Sequence, residues 1–389
     1  MLQLGVSKID ITPRTPVPLA GFAERTGVYE RIATPLFARC FWFTGESAQP
    51  VLLVTADLIW WGPEITASIR ARIPAAYVVL HASHSHSGPQ TALGLSPLIG
   101  VASADYLRDL EDLVMEAAEA ARADVEPVNV RSGTTTALLG IYRRRLIDGE
   151  IRMAPNPAGP IDRECTVVQF LAANSSEKAL LIHATCHPTT TAAPVVSSEF
   201  CGHAMSRIEA ERGIIAGFLQ GCCGDVRPAL IRDGAFYRGG QYEVRQLGDS
   251  LAHAVLNRLS KPLDEHPPAA IHSFAVQLPL EFENGSQPPA QMEMSCLRLT
   301  QNLAFITFNA EMVGAYGFLA KQLGVLPLAY SNGMIGYVTT ALQLAEGGYE
   351  SRGAFPYFNM PAAFSPATES AVRAAIEVST REIRRPPAA

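Results

Sequence analysis

Residues 51–86 constrain the fold of this chain more tightly than any other stretch. Val51-Leu52-Leu53-Val54-Thr55-Ala56-Asp57-Leu58 is a near-continuous apolar run with a carboxylate at its end, as expected of a strand covered on both faces. A helical pattern follows from Pro63 to Arg72, and then a second buried strand leads through Tyr77-Val78-Val79-Leu80 into His81-Ala82-Ser83-His84-Ser85-His86-Ser87-Gly88-Pro89. This is a strand, helix, strand unit of an α/β sheet. In open sheets of that kind, reactive residues gather at the carboxyl ends of strands, where Asp57, His84 and His86 fall.

The rest of the chain continues the alternation. An amphipathic helix is predicted from Ala104 to Ala123, with its charges on a solvated face. Strands are predicted at Thr166–Leu171 and Ala179–Thr185, helices at Gly202–Arg212 and Tyr242–Leu259, and a strand at 214–220 that runs into the turn Gly221-Cys222-Cys223-Gly224-Asp225-Val226-Arg227-Pro228. Further strands at 269–280 and 303–309 enclose a loop at 285–289, and Ala367–Arg385 reads as a surface helix followed by a frayed tail at 386–389. The Pro-rich stretch 261–268 reads as a connection, and there is no internal repeat. A chain of 389 residues, 48% of them hydrophobic, can bury the core of one large α/β domain.

Charge and cysteine usage narrow the partners. A net charge of −6 without a basic cluster argues against nucleic acid, which requires concentrated Lys and Arg, and favours a small-molecule partner. No apolar run reaches the roughly 18 residues of a membrane span, and the first residues lack a leader pattern, so the expectation is a cytoplasmic protein without stable membrane insertion. The seven cysteines are odd in number and irregularly spaced, and no C-x-x-C pair occurs. They read as small buried hydrophobes in reduced form.

His84 and His86, two apart after a strand, would share a face, so both could bind one metal ion, or one could bind while the other handles a proton. Other loops offer more donors: His187 in His183-Ala184-Thr185-Cys186-His187-Pro188, Glu311 after Asn309-Ala310, and Tyr349 in Gly347-Gly348-Tyr349-Glu350. The spacing of four from His183 to His187 would suit a zinc-binding helix, but Pro188 and the preceding Leu180-Leu181-Ile182 favour a strand end. Each donor also has an ordinary reading. A histidine at a strand end can be a hydrogen-bonded core residue, Glu311 can open a helix from Met312 to Gln322, and Tyr349 can simply pack.

The sequence resembles the catalytic domain of the neutral, non-lysosomal ceramidases. The similarity lies in Lys8-Ile9-Asp10-Ile11-Thr12-Pro13, Pro18-Leu19-Ala20-Gly21-Phe22, Pro35–Arg39, Asp57, His84–Pro89, Cys186-His187-Pro188-Thr189, Gly224-Asp225-Val226, Ile335-Gly336-Tyr337 and Gly347-Gly348-Tyr349-Glu350, in the family's order. The resemblance implies a single large domain, a layered sandwich of mixed β-sheets flanked by helices, and zinc held by His84, His187, Glu311 and Tyr349. It makes His86 the proton-handling partner, with Tyr349 and an arginine of Tyr142-Arg143-Arg144-Arg145 steadying an oxyanion. Arg144 is favoured for that role and Arg143 is next. Gly21, Arg143, Asp225 and Arg227 are the expected substrate contacts.

Two departures shape the functional expectation. The family continues Gly-Asp-Val into a serine assigned to catalysis, whereas Arg227 stands here, and an arginine stays protonated and cannot act as nucleophile or proton acceptor. Arg227 would either favour an anionic substrate or pair with Asp225 or Asp57. The family's additional C-terminal β-sandwich is also absent from this sequence. The expectation is thus a zinc-dependent amidohydrolase acting on a small, possibly anionic amide. Ester, lactone or phosphoester hydrolysis is the alternative chemistry, and a catalytically inactive, metal-stabilised binding protein is the third reading. Trp60 and Trp61 would line a pocket or pack in the core.

Overall fold

The structure is a computed structural model that describes residues 1–46 and 49–385; the tail expected at 386–389 lies outside the described residues. Eight strands form the main sheet: β1 (Gln3–Asp10), β2 (Phe37–Thr44), β3 (Val51–Ala56), β4 (Tyr77–Ala82), β5 (Glu126–Thr136), β6 (Glu164–Ala172), β7 (Glu177–Ala184) and β8 (Ile215–Gln220). Their order is β8-β7-β6-β5-β1-β2-β3-β4, and the short segment Asp264–Glu265 pairs with β5 beside that path. A second sheet is built from β9 (Pro268–Leu280), β10 (Ala290–Thr300), β11 (Ala304–Phe308) and β12 (Leu326–Leu328), in that order. The helices that cover them are α1 (Pro63–Arg72), α2 (Ala104–Ala123), α3 (Glu199–Arg212), α4 (Gln241–Leu259), α5 (Gly314–Gln322) and α6 (Ala367–Arg384).

Pairing in the main sheet is antiparallel through the middle and parallel at both ends, β3 with β4 and β7 with β8. A parallel pair needs a crossover, and α1 and α3 supply the two. The alternation of side chains along each strand then sets the layers. On β2, β3 and β4, Phe41, Phe43, Leu53 and Val79 join an inner apolar cluster with Phe170, Leu181 and Leu219 of the other half. The intervening Cys40, Trp42, Leu52, Val54 and Leu80 face a cluster that includes Leu110, Val114 and Ala121 of α2. Across the molecule, Leu180, Ile182, Ala216 and Phe218 pack under Phe200, Met205 and Ile208 of α3 and Leu251 and Val255 of α4. The mixed α/β layered sandwich expected from the sequence is what forms, without closure into a barrel.

Helix α2 shows why such patterns are legible. Ser103 caps it by accepting from Tyr106 N, and Tyr106, Leu110, Val114, Ala117, Ala118 and Ala121 bury one stripe. That stripe lies so close to β1 that a Cβ at Gly5 would stand 1.8 Å from the Ala121 carbonyl. Helix α6 buries Val372, Ile376 and Ile383 in the same cluster as Met294 and Ile306 of the second sheet.

Because the sheet curls, its two parallel ends meet. Gln220 at the end of β8 donates its backbone N–H to His81 Nε2 at 2.8 Å, and its Nε2 to the Ser83 carbonyl at 2.9 Å. Three expected boundaries move at this end of the molecule. Strand β3 stops at Ala56, β4 stops at Ala82 so that His84 and His86 lie beyond it, and the expected helix start at Met312 is a short strand Glu311–Met312, with α5 beginning at Gly314. Among the described residues no helix is long and apolar enough to cross a membrane. All seven cysteines are buried and unpaired.

Candidate metal centre and its cleft

Two apart on a strand was the expected relation of His84 and His86, and the structure replaces it. Just past β4 the backbone of His84 turns into the left-handed region, φ +69°, and it is this turn that folds the two rings together. His86 Nε2 lies 3.1 Å from His84 Nε2, which lies 2.9 Å from His187 Nε2. His187 follows β7, so each parallel end of the sheet contributes at least one ring.

The remaining ring nitrogens explain the orientation. Each Nδ1 meets a backbone carbonyl: His84 that of Ile59 at 2.8 Å, His86 that of Gly21 at 3.1 Å, and His187 that of Cys223 at 3.1 Å. A carbonyl only accepts, so all three Nδ1 atoms carry the proton, and all three Nε2 atoms present lone pairs. Burial, the dominant cause, lowers His84 to about 3 and holds His86 and His187 well below the usual imidazole value. Three lone pairs facing one another at this range repel unless a cation sits among them.

Glu311 completes the arrangement. Its Oε1 is 3.4 Å from His84 Nε2 and its Oε2 is 4.0 Å from His187 Nε2. Burial lifts its carboxyl to about 7 against the opposing pull of Arg143. Around a tetrahedral ion with bonds of roughly 2.0–2.1 Å, donor atoms stand about 3.3–3.4 Å apart, so the donor set fits a small divalent cation. His84, His86 and His187 together form a cluster able to hold a metal ion, their donor atoms all lying within 4.8 Å of one another.

The tyrosine beside this set is Tyr337. Its segment Tyr337–Val338 runs parallel to Glu311–Met312 with Tyr337 opposite Glu311, and its hydroxyl accepts from Arg143 Nη2 at 3.0 Å. Tyr349 lines the same cleft one ring further out, its centroid 5.8 Å from that of Tyr337. Tyr330 stacks on His84 at 3.8 Å and donates to Glu311 at 3.4 Å.

The cleft over the centre has a volume of about 160 Å³ and is lined by Gly21, Phe22, Glu24, His86, Arg143, His187, Arg227, Arg238, Tyr337 and Tyr349, among others. Arg143, not Arg144, faces it. Arg144 turns away to Glu350 at 2.7 Å, Glu346 at 3.0 Å and the Gly347 carbonyl at 2.9 Å. The pairing of its strand with the neighbouring Glu150–Asn156 shifts between Tyr142 and Arg144. That irregularity lets Arg143, which would otherwise point to the opposite side, reach the same Glu350 carboxylate at 2.7 Å.

Asp225, expected to contact substrate, is instead a buried brace. It accepts from Gly314 N at 2.9 Å at the start of α5 and from Gln343 Nε2 at 2.9 Å. Asp57 accepts from Arg39 at 3.2 Å and from Phe37 N at 2.9 Å. Of the two alternatives for Arg227, pairing with Asp225 or Asp57 is therefore not made. Gly21 does line the cleft; its φ of +96° and its carbonyl bond to His86 make it a seat for that ring. Trp60 packs in the core behind His84, at 5.9 Å between centroids, and donates to Gln90 at 2.7 Å; Trp61 is fully buried.

No family model matches this sequence, and no curated protein does. Solved structures do. The neutral ceramidase of Pseudomonas aeruginosa aligns with 100% of this chain and 75% of its own, at a TM-score of 0.79 and 18% identity. A ceramidase complexed with C2 aligns with 100% of this chain and 76% of its own, at the same TM-score of 0.79 and 18% identity. The resemblance read from sequence motifs thus holds at the level of the fold, along the whole chain.

Proposed function

We propose that this chain, with the fold of neutral ceramidase, is a zinc-dependent hydrolase that cleaves an amide bond of a small substrate. The observation that carries the reading is the convergence of three buried imidazole lone pairs and the Glu311 carboxylate at the floor of an open cleft. His84, His187 and Glu311 are the proposed ligands, with Tyr337 rather than Tyr349 as the phenolic one, because Tyr337 lies beside Glu311. A zinc ion held there supplies a Lewis acid and lowers the pKa of a water towards neutrality.

The protein's own groups supply the rest. His86 Nε2 lies 3.1 Å from His84 Nε2 and the ring lines the cleft, so it is placed to take and return a proton. Its low proton affinity favours the neutral, accepting form at neutral pH. Arg143, cationic and fixed between Glu350 and Tyr337, steadies negative charge developing on a carbonyl oxygen, with Tyr349 alongside as a donor. An ester, lactone or phosphoester would meet the same groups. Reconstitution with zinc followed by matched nitroanilide, nitrophenyl ester and nitrophenyl phosphate substrates separates these chemistries. Amide turnover with about one zinc per chain is the expected result; a protein that takes up no metal refutes the reading.

The seat of His86 gives a second expectation. A Cβ at Gly21 would stand 2.2 Å from His86 Nδ1. Gly21→Ala should therefore push the imidazole off its carbonyl and lower kcat/KM by about 100-fold, the cost of a misplacement near 1 Å. Zinc content should remain at the wild-type level. Equal rates in the two proteins would remove His86 from proton transfer.

A further inference from the structure

The cleft carries a cation that no carboxylate among the described residues pairs with; the exposed Glu24 acts on it only at longer range. Arg227 lines it and is only 8% exposed. Its Nε is buried without a hydrogen-bond partner, and its Nη1 meets only the Met153 thioether sulfur at 3.6 Å, a weak acceptor. Among the described residues it makes no ion pair, because Asp225 and Asp57 are engaged elsewhere. Its guanidinium lies over the Phe236 ring at 4.7 Å, which orients the plane without compensating the charge.

The neighbouring cations are differently placed. Arg143 is matched by Glu350 at 2.7 Å. Arg238 lies over Phe22 at 4.3 Å, is 39% exposed, faces the exposed Glu24 at 3.7 Å and donates to the Thr189 carbonyl at 3.4 Å. Burial, followed by repulsion from Arg238 and Arg143, lowers Arg227 to about 9, so it stays cationic at neutral pH. A desolvated guanidinium without a counter-ion is unfavourable in the free protein and favourable once an anion arrives. A planar guanidinium fork matches the two oxygens of a carboxylate, and the unpartnered Nε–H leaves this one without a protein acceptor along one edge.

Arg227 is also tied to the reaction centre by the chain itself. It lies four residues after Cys223, whose carbonyl holds His187, and it pairs with Ile141, two residues before Arg143. We propose that Arg227, with Arg238 at the rim, is an oxyanion-binding subsite, and that the substrate is an amide bearing a carboxylate close to the scissile bond. A single unmatched buried cation suits a monoanion better than a phosphate dianion. This inference rests on the hydrolase reading for its word amide, but not for the binding of the anion.

The test uses the zinc-loaded full chain with N-benzoylglycine and its uncharged counterpart N-benzoylglycinamide. Wild type is expected to favour the acid by about 10- to 100-fold in kcat/KM, mostly through KM, as a charge-assisted pair predicts. In Arg227→Met that ratio should fall to about 1, and in Arg238→Met by a smaller factor. Because Arg227 has no counter-ion among the described residues and a methionine keeps its apolar contacts to Met153 and Phe236, Arg227→Met should melt no lower than wild type, whereas an arginine held in a structural ion pair would lower the melting temperature.

Binding is read separately by calorimetry with benzoate at constant ionic strength. If neither amide is turned over but benzoate binds wild type and not Arg227→Met, the subsite stands and the hydrolase reading fails. Turnover with an unchanged acid preference in Arg227→Met, or no preference in wild type, overturns the subsite. Tighter competition by inorganic phosphate or sulfate than by benzoate overturns the assignment to a carboxylate.

Discussion

His84→Ala and His187→Ala are each expected to abolish stoichiometric zinc binding and to lower kcat/KM by at least about 1,000-fold. Each removes one proposed ligand, and metal-assisted water activation contributes several kcal/mol to such reactions, at about 1.4 kcal/mol per tenfold in rate. The truncations also leave Glu311 facing fewer donors in a buried site. Neither variant should unfold the protein, because the rings hang from loops beyond β4 and β7 rather than from the strands. Metal analysis by mass spectrometry alongside steady-state rates checks both halves. Either variant keeping wild-type zinc and rate would show that the cluster is a packed core feature and not a metal centre.

The second large effect concerns Glu350, the carboxylate shared by Arg143 and Arg144 at 2.7 Å each. All three side chains are nearly fully buried, with exposures of 2–3%. Glu350→Gln keeps the shape but leaves two buried guanidinium groups without their common anion, and breaking a buried pair in this way costs about 3–5 kcal/mol. The substitution should lower the denaturation midpoint by the corresponding amount. Burial alone would raise this carboxyl, but the two arginines outweigh it and hold Glu350 below its ordinary value.

Its contribution is therefore fully present above the unfolded-state pKa of about 4.3 and is lost as pH falls through the lower folded-state value. Wild type should lose stability relative to Glu350→Gln as the solution is acidified through that window, so the gap between them narrows. Chemical denaturation at pH 7 and at successively lower pH measures it. A gap below about 1 kcal/mol at pH 7 would mean that the guanidinium groups find other partners.

What could be read from the sequence divides along physical lines. Helix α2 and the strands β3, β4 and β7 were legible because their periodicity is local and their burial is governed by it. His84, His187 and Glu311 were picked out as donors in loops, and the fold brings them together. The relation between His84 and His86 was misread because it depends on a positive φ at a residue other than glycine, which leaves no mark in composition. Tyr337 was noticed as part of a motif but not as a donor. Its place beside Glu311 comes from their pairing in a parallel register that only the folded chain reveals.

Which of Arg143 and Arg144 lines the cleft was not legible for a similar reason, since one irregularity in strand pairing turns Arg143 towards it. That Arg227 has no ion-pair partner among the described residues is a property of the whole site. It became visible only once Asp57 and Asp225 were seen to be occupied.

The meeting of the sheet's two parallel ends also sets when the centre can exist. His84 and Glu311 are joined only by folding, and more than half of the chain is synthesised between them. At typical elongation rates that interval is on the order of 10–50 s. During it a nascent chain holds the first histidines without the carboxylate or Tyr337, and a metal ion has no complete site to enter. On the proposed reading, metal capture would be a late event in the life of each molecule, following the closure of the last strands over the first, and the ion would serve as a seal on a finished fold rather than a nucleus for it.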